Sequence, residues 1–119
     1  MSQSAWLEKL FKTIDAKDAD SFAAFLTEDA IFRFGNAEPA RGKQAVRDAV
    51  AGFFGGVKSL RHTVRESWSL PDAAVMHGEV TYTRHDGTEL SVPFANVFKL
   101  QGTLVREYLV FADASKLWS

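Results

Sequence analysis

A carboxylate at the end of an apolar run, a histidine opening a strand, an amide between two phenylalanines and a phenol on an alternating stretch are the groups whose type and spacing could do chemistry here. The carboxylate is Asp113, which closes the run Tyr108-Leu109-Val110-Phe111-Ala112. Desolvation among such neighbours raises a carboxyl pKa, which suits the group to take a proton from the carbon beside a carbonyl. The same side chain could instead cap the turn Ala114-Ser115-Lys116-Leu117. His62 could shuttle a proton or donate a hydrogen bond, since imidazole changes charge near neutrality. Its alternative is a rim histidine satisfied by a backbone carbonyl, with Glu66 on the same face. Asn96 lies between Phe94 and Phe98 on an otherwise apolar face. A buried amide must find partners or cost a few kcal/mol, so Asn96 is the expected ligand anchor. A hydrogen bond to bulged backbone beside Pro93 is the competing account. Tyr82 could polarise a carbonyl oxygen, although aromatic residues at alternate strand positions more often pack. His77 and His85 are poorer candidates, the first sharing parity with Glu79 and the second sitting at a hairpin turn. The three histidines form no helical i, i+4 pair, so no metal site is expected. Gly52-Phe53-Phe54-Gly55-Gly56 ends a helix rather than opening one after a strand, so no phosphate-binding loop and no cofactor are expected.

The elements that must hold these groups are legible in the periodicity. Four strand-like segments run over residues 60–113, joined at Pro71-Asp72, Asp86-Gly87 and Gln101-Gly102. Each junction supplies the fixed or positive φ of a tight turn, so the second half is predicted to be one antiparallel meander. Strands of roughly ten residues with the usual twist should curl and leave a concave face. Upstream, Trp6, Leu7, Leu10, Phe11 and Ile14 fall at helical spacing behind Ser4, a candidate N-cap, which predicts a helix over residues 4–16. Asp18 or Asp20 caps a second short helix through Leu26. A strand over residues 30–35 follows, with Phe32 and Phe34 on one face. Gly42 then opens a third helix carrying Val46, Ala49, Val50 and Phe53, which Gly55-Gly56 stops. The predicted class is α+β: a strongly curled antiparallel sheet whose concave face is covered by three N-terminal helical segments.

Strand parity assigns the faces. His62, Val64, Glu66 and Trp68 form one concave set, Met76, Gly78, Val80 and Tyr82 the next, and Phe94, Asn96, Phe98 and Leu100 the third. In the last strand both parities carry apolar groups, Leu109 and Phe111 on one and Tyr108 and Val110 on the other. A sheet apolar on both faces is covered on both, and the expected cover for the convex face is a second copy of the chain. Pro93 lacks a backbone donor, which puts its strand at an edge, at its start or at a bulge. Phe32, Phe34, Trp68, Met76, Phe94 and Phe98 should line the cavity, with Trp6, Phe11 and Phe22 closing its helical side. A volume of roughly 300–1,000 Å³ would suit a small, largely apolar molecule.

Composition bounds the partners. At 119 residues and 46% apolar content the chain reads as a single domain over residues 1–119. A net charge of −1 with scattered basic residues argues against nucleic acid and acidic membrane surfaces. There is no cysteine, which excludes disulfides and thiolate chemistry and fits a reducing cytoplasm. No stretch approaches the ~18 apolar residues of a membrane span, and the N-terminus lacks the basic and apolar regions of a leader.

Taken together, several stretches resemble the nuclear transport factor 2-like superfamily, and within it the SnoaL-like polyketide cyclase and ketosteroid isomerase-like group. They are Asp18-Ala19-Asp20-Ser21-Phe22, Thr27-Glu28-Asp29-Ala30, Arg41-Gly42-Lys43, Arg61-His62-Thr63-Val64, Gly78-Glu79-Val80-Thr81-Tyr82, Pro93-Phe94-Ala95-Asn96-Val97-Phe98 and the final strand to Asp113. The resemblance covers essentially the whole chain. It implies a cone-shaped α+β barrel, commonly dimeric, around a deep apolar cavity. It further implies a small-molecule pocket protein, with a cofactor-independent isomerase or cyclase as the leading reading. In that reading Asp113 moves a proton while Asn96, Tyr82 or His62 steadies developing charge. A noncatalytic ligand-binding module and a dimeric interaction domain are the alternatives, with lyase and hydrolase chemistry left open. The Arg-x-Asp spacing of epoxide-hydrolase-like members occurs only as Arg84-x-Asp86, at a turn.

Overall fold

The computed structural model describes the backbone of residues 2–118 and the side chains of residues 5–117. Helix α1 spans Ser2–Asp15, α2 Ala19–Ala23, strand β1 Leu26–Phe34, β2 Ala40–Arg41, α3 Lys43–Gly55, β3 Ser59–Leu70, β4 Ala73–Thr83, β5 Glu89–Gln101 and β6 Leu104–Ala112, followed by a 3₁₀ turn at Ser115–Trp118. A cap from the Ser4 side chain lies outside the described residues. Asp18 caps α2, accepting the backbone N–H of Ser21 at 3.1 Å and its hydroxyl at 2.7 Å. That helix is shorter than expected, because Leu26 already pairs with Val105 as the first residue of β1.

The strands form one sheet in the order β2-β1-β6-β5-β4-β3. The predicted meander is present from β3 to β6, with Gly87 and Gly102 at φ +90° and +63° in its turns. Strand β1 joins it in parallel beside β6. The ends of the sheet do not meet, so the expected barrel is an open, curved sheet. Pro93 sits in a central strand rather than at an edge. It is tolerated because β6 ends at Ala112, opposite Phe94, so no strand faces the missing donor on that side.

One irregularity decides the faces. The β3–β4 register shifts between Val64 and Glu66, leaving Arg65 as an extra residue. Opposite this bulge a methyl group on Gly78 would run into the Thr63 carbonyl. Beyond the bulge every side chain of β3 changes face. Glu66 and Trp68 therefore pair with His77 and Val75 on the convex side, and Trp68 stacks on His77 while remaining 51% exposed. The expectation that Trp68 lines the cavity is overturned by that one inserted residue.

On the concave side the helices fill one end and roof the other. Leu10 of α1, Phe22 of α2 and the sheet residues Met76, Phe98 and Val105 are fully buried at the filled end. Phe98 stacks on Tyr108 at 4.6 Å and meets Trp6 edge-on at 5.9 Å. At the other end α3 spans the sheet at a distance, and a cavity remains.

Candidate functional site

Every strand of the sheet except the short β2 contributes to the cavity floor, and each contribution follows from parity. Phe32 and Phe34 come from β1, Leu60 and His62 from β3, Val80 and Tyr82 from β4, Phe94 and Asn96 from β5, and Tyr108 and Val110 from β6. Val50, Phe53 and Phe54 of α3 and Ile14 of α1 form the roof. The amphipathic stripe of α3 thus shields the site rather than joining a solid core. The volume is about 220 Å³, below the expected range. Dry cavities of ~150 Å³ accept benzene, so this one has room for a single substituted ring.

Four polar side chains interrupt the apolar wall. Asn96 is 1% exposed, and neither its Oδ1 nor its Nδ2 has a hydrogen-bond partner among the described residues. The competing bond to backbone near Pro93 is not made. Tyr82 and Tyr108 are both buried, and desolvation pushes the Tyr82 phenol up to about 12. Tyr108 is raised further, by its burial and then by the neighbouring Tyr82 and Asp15. Both remain protonated hydrogen-bond donors across the physiological range.

His62 is held between Phe11 and Phe94, with ring centroids 4.7 Å and 5.1 Å away. Its Nδ1 lies 2.7 Å from Asp15 Oδ1, and its backbone N–H donates to Asp15 Oδ2 at 3.1 Å. An ionised carboxylate only accepts, so Nδ1 carries the ring proton and Nε2 is left as the basic nitrogen. The imidazole is 8% exposed and its carboxylate 29%. Its partner is therefore neither a rim carbonyl nor Glu66, which binds His77 at 2.8 Å.

Sequence reasoning missed Asp15. It is the last residue of α1, where a negative charge meets the negative end of the helix dipole at a cost of ~0.3–1 kcal/mol. That misplacement is a signal in the sequence, but its partner is 47 positions away. Tyr108 was also left undecided, because both faces of β6 are apolar.

The expected site residues divide clearly. Asn96, His62, Tyr82, Phe32, Phe34 and Phe94 line the cavity. Met76 and Phe98 have the expected parity but lie at the filled end of the sheet. Asp113 lies outside the cavity, exposed in a shallow outer groove beside Phe34 and Phe53. Its Oδ1 accepts the Ser115 backbone N–H at 3.0 Å, and the Ser115 hydroxyl and N–H hold it below the usual carboxylate range. The shift is opposite to that of a desolvated base, and Asp113 acts as the cap of the terminal turn. Arg84 and Asp86 stand at the β4–β5 turn, each bonded to Thr88. Among the described residues no cluster of His, Asp or Glu could hold a metal ion, and no helix is long and apolar enough to cross a membrane.

Solved structures share this arrangement. An NTF2-like protein of unknown function from Burkholderia pseudomallei K96243 superposes with a TM-score of 0.85 at 12% identity, covering 98% of this chain and 95% of that one. TerC, co-crystallised with polyporic acid, gives 0.83 at 13% identity with both chains covered in full. The LEH-like epoxide hydrolase of M. tuberculosis gives 0.80 at 12% identity, covering 96% and 84%. No curated protein matches the chain by sequence. Likeness at these identities establishes the fold, one shared by cyclases, isomerases and epoxide-hydrolase-like proteins. Residues 7–108 match the family model of the SnoaL-like domain, and the chain belongs to that family, within the nuclear transport factor 2-like superfamily.

Proposed function

We propose that this chain binds a small, largely apolar carbonyl compound in the cavity and moves a proton on it without a cofactor, as an isomerase or cyclase does. The observation that carries the reading is Asn96, a fully buried amide with both polar atoms unpaired on an apolar cavity wall. In a core that merely packed, such a side chain would cost ~1–3 kcal/mol for no return. His62, positioned by Asp15, replaces Asp113 as the base. Its Nε2 takes a proton from the carbon beside the carbonyl, and the negative charge passes to the carbonyl oxygen. Asn96, Tyr82 and Tyr108 offer N–H and O–H donors to that oxygen. Asp15 stabilises the imidazolium that forms. Returning the proton to a different carbon isomerises the molecule, whereas attack of the enolate carbon on a second carbonyl closes a ring. That TerC was crystallised with polyporic acid supports a small organic occupant for this fold.

The test is exchange of the α-hydrogens of small single-ring ketones such as cyclohexanone in deuterated buffer, followed by NMR. The protein is expected to accelerate exchange, and His62→Gln to lower that rate ~10²–10⁴-fold with binding retained. Ketones that bind while exchanging no faster than in buffer would leave a noncatalytic binding module.

We further infer that the chain is a homodimer through the convex face. One cross-strand row there is Trp68, Val75, Val97 and Leu109, and the adjoining row ends in Phe111, 56% exposed. Lys99 and Arg33 stand at its rim with Glu107 and Glu66. An apolar middle with a border of mixed charge supports self-association about a two-fold axis.

A further inference from the structure

The polar groups of the cavity can be read as a mould of the molecule they would bind. This step rests on the cavity being a ligand site. Asn96 presents an acceptor and a donor side by side, both unpaired. A lone ketone oxygen satisfies the amide N–H and leaves Oδ1 orphaned. Only a ligand edge carrying a C=O next to an N–H or O–H meets both atoms, and it does so whichever way the amide is turned. The remaining polar groups are neutral phenols and one imidazole. Among the described residues no lysine or arginine lines the cavity, so an anion would be buried without a counter-charge. Asp15, close enough to raise the Tyr108 phenol, repels an anion as well. A cation could meet Asn96 Oδ1 but would offer nothing to its N–H₂, and Asp15 is already engaged twice by His62. The volume of about 220 Å³ limits the molecule to about one substituted ring.

We propose that the cavity selects neutral, single-ring molecules whose carbonyl stands beside an N–H or O–H on one planar edge, as in an amide, a lactam or a hydroxy-enone, with Asn96 as the residue that reads this pair. A plain ketone of the same shape still binds but more weakly, whereas a carboxylate and an amidinium are rejected.

Benzamide, acetophenone, benzoate and benzamidinium form a near-isosteric set for calorimetric titration at neutral pH. Benzamide should bind about tenfold or more tighter than acetophenone, the worth of one buried hydrogen-bonded pair. Benzoate and benzamidinium should each bind at least ~100-fold more weakly than benzamide. In Asn96→Leu, benzamide should lose its advantage and bind no tighter than acetophenone. The comparison on the unsubstituted protein decides the matter even if that variant does not fold. Equal binding of benzamide and acetophenone, or tightest binding of either ion, overturns the selectivity but leaves a ligand cavity. Absence of saturable binding by all four at millimolar concentration overturns the cavity reading itself and this inference with it.

Discussion

Tyr82 and Tyr108 are the only tyrosines in the chain, and both face the cavity. Their raised phenols make the site visible to a simple titration. Tyr82 is pushed up to about 12 by desolvation, whereas an unfolded tyrosine ionises near ~10. Below pH ~10 both states keep the proton and the phenols contribute nothing to pH dependence. Between ~10 and ~12 the unfolded chain loses protons that the folded chain retains, so stability falls as pH rises through that window. Absorbance at 295 nm should stay flat past pH ~10 and then rise together with the loss of secondary structure. Ionisation of either tyrosine near ~10 in the folded protein would show that its phenol is open to water. Asp113 supplies the opposite control. Its carboxylate is held low by Ser115, so its contribution to stability is present above the unfolded value and is lost as pH falls through the folded one. Asp113→Asn should leave ketone exchange unchanged while removing that acid-side dependence. A large fall in exchange would return Asp113 to the chemistry.

The strands show how far pattern carries and where it stops. Alternation placed Phe32, Phe34, Tyr82, Phe94 and Asn96 on the concave side, and the turn residues fixed the meander that brings them together. Parity alone fails across an inserted residue, and nothing in Val64-Arg65-Glu66 marks which residue is extra. The mark is on the partner strand, where Gly78 leaves room for the bulged backbone. Parity also says nothing of where along a strand the hollow begins. Met76 and Phe98 share a face with the site yet lie under α1 and α2, because the helix crossing point depends on three-dimensional packing. Asp15 was illegible for a related reason, since its role exists only once α1 is docked on β3. The bulge makes a prediction of its own. Gly78→Ala forces the new methyl against the Thr63 carbonyl, and the backbone must move or the bulge must straighten. Chemical denaturation should show a loss of ~1–3 kcal/mol. A fully tolerated alanine would mean that the register shift is not set by this contact.

Two faces of one curved sheet divide the labour of the whole molecule. The concave face holds the cavity, and the convex face shows Trp68 and Phe111 to the outside at 51% and 56% exposure. These two rings flank a continuous apolar band across β3, β4, β5 and β6. Such a patch in water favours association, and the proposed occupant is a second copy of the chain. Sedimentation at micromolar concentration should therefore give twice the chain mass. Phe111→Glu places a charge in the apolar band that must be desolvated on association, and it should shift the protein to monomer. Because Phe111 points away from the cavity, the monomeric variant should bind benzamide as the native protein does. A native chain that sediments as a concentration-independent monomer would remove the dimer while leaving the cavity untouched. A Phe111→Glu monomer that loses ligand binding would instead show that dimerisation holds the sheet in the curvature the cavity needs.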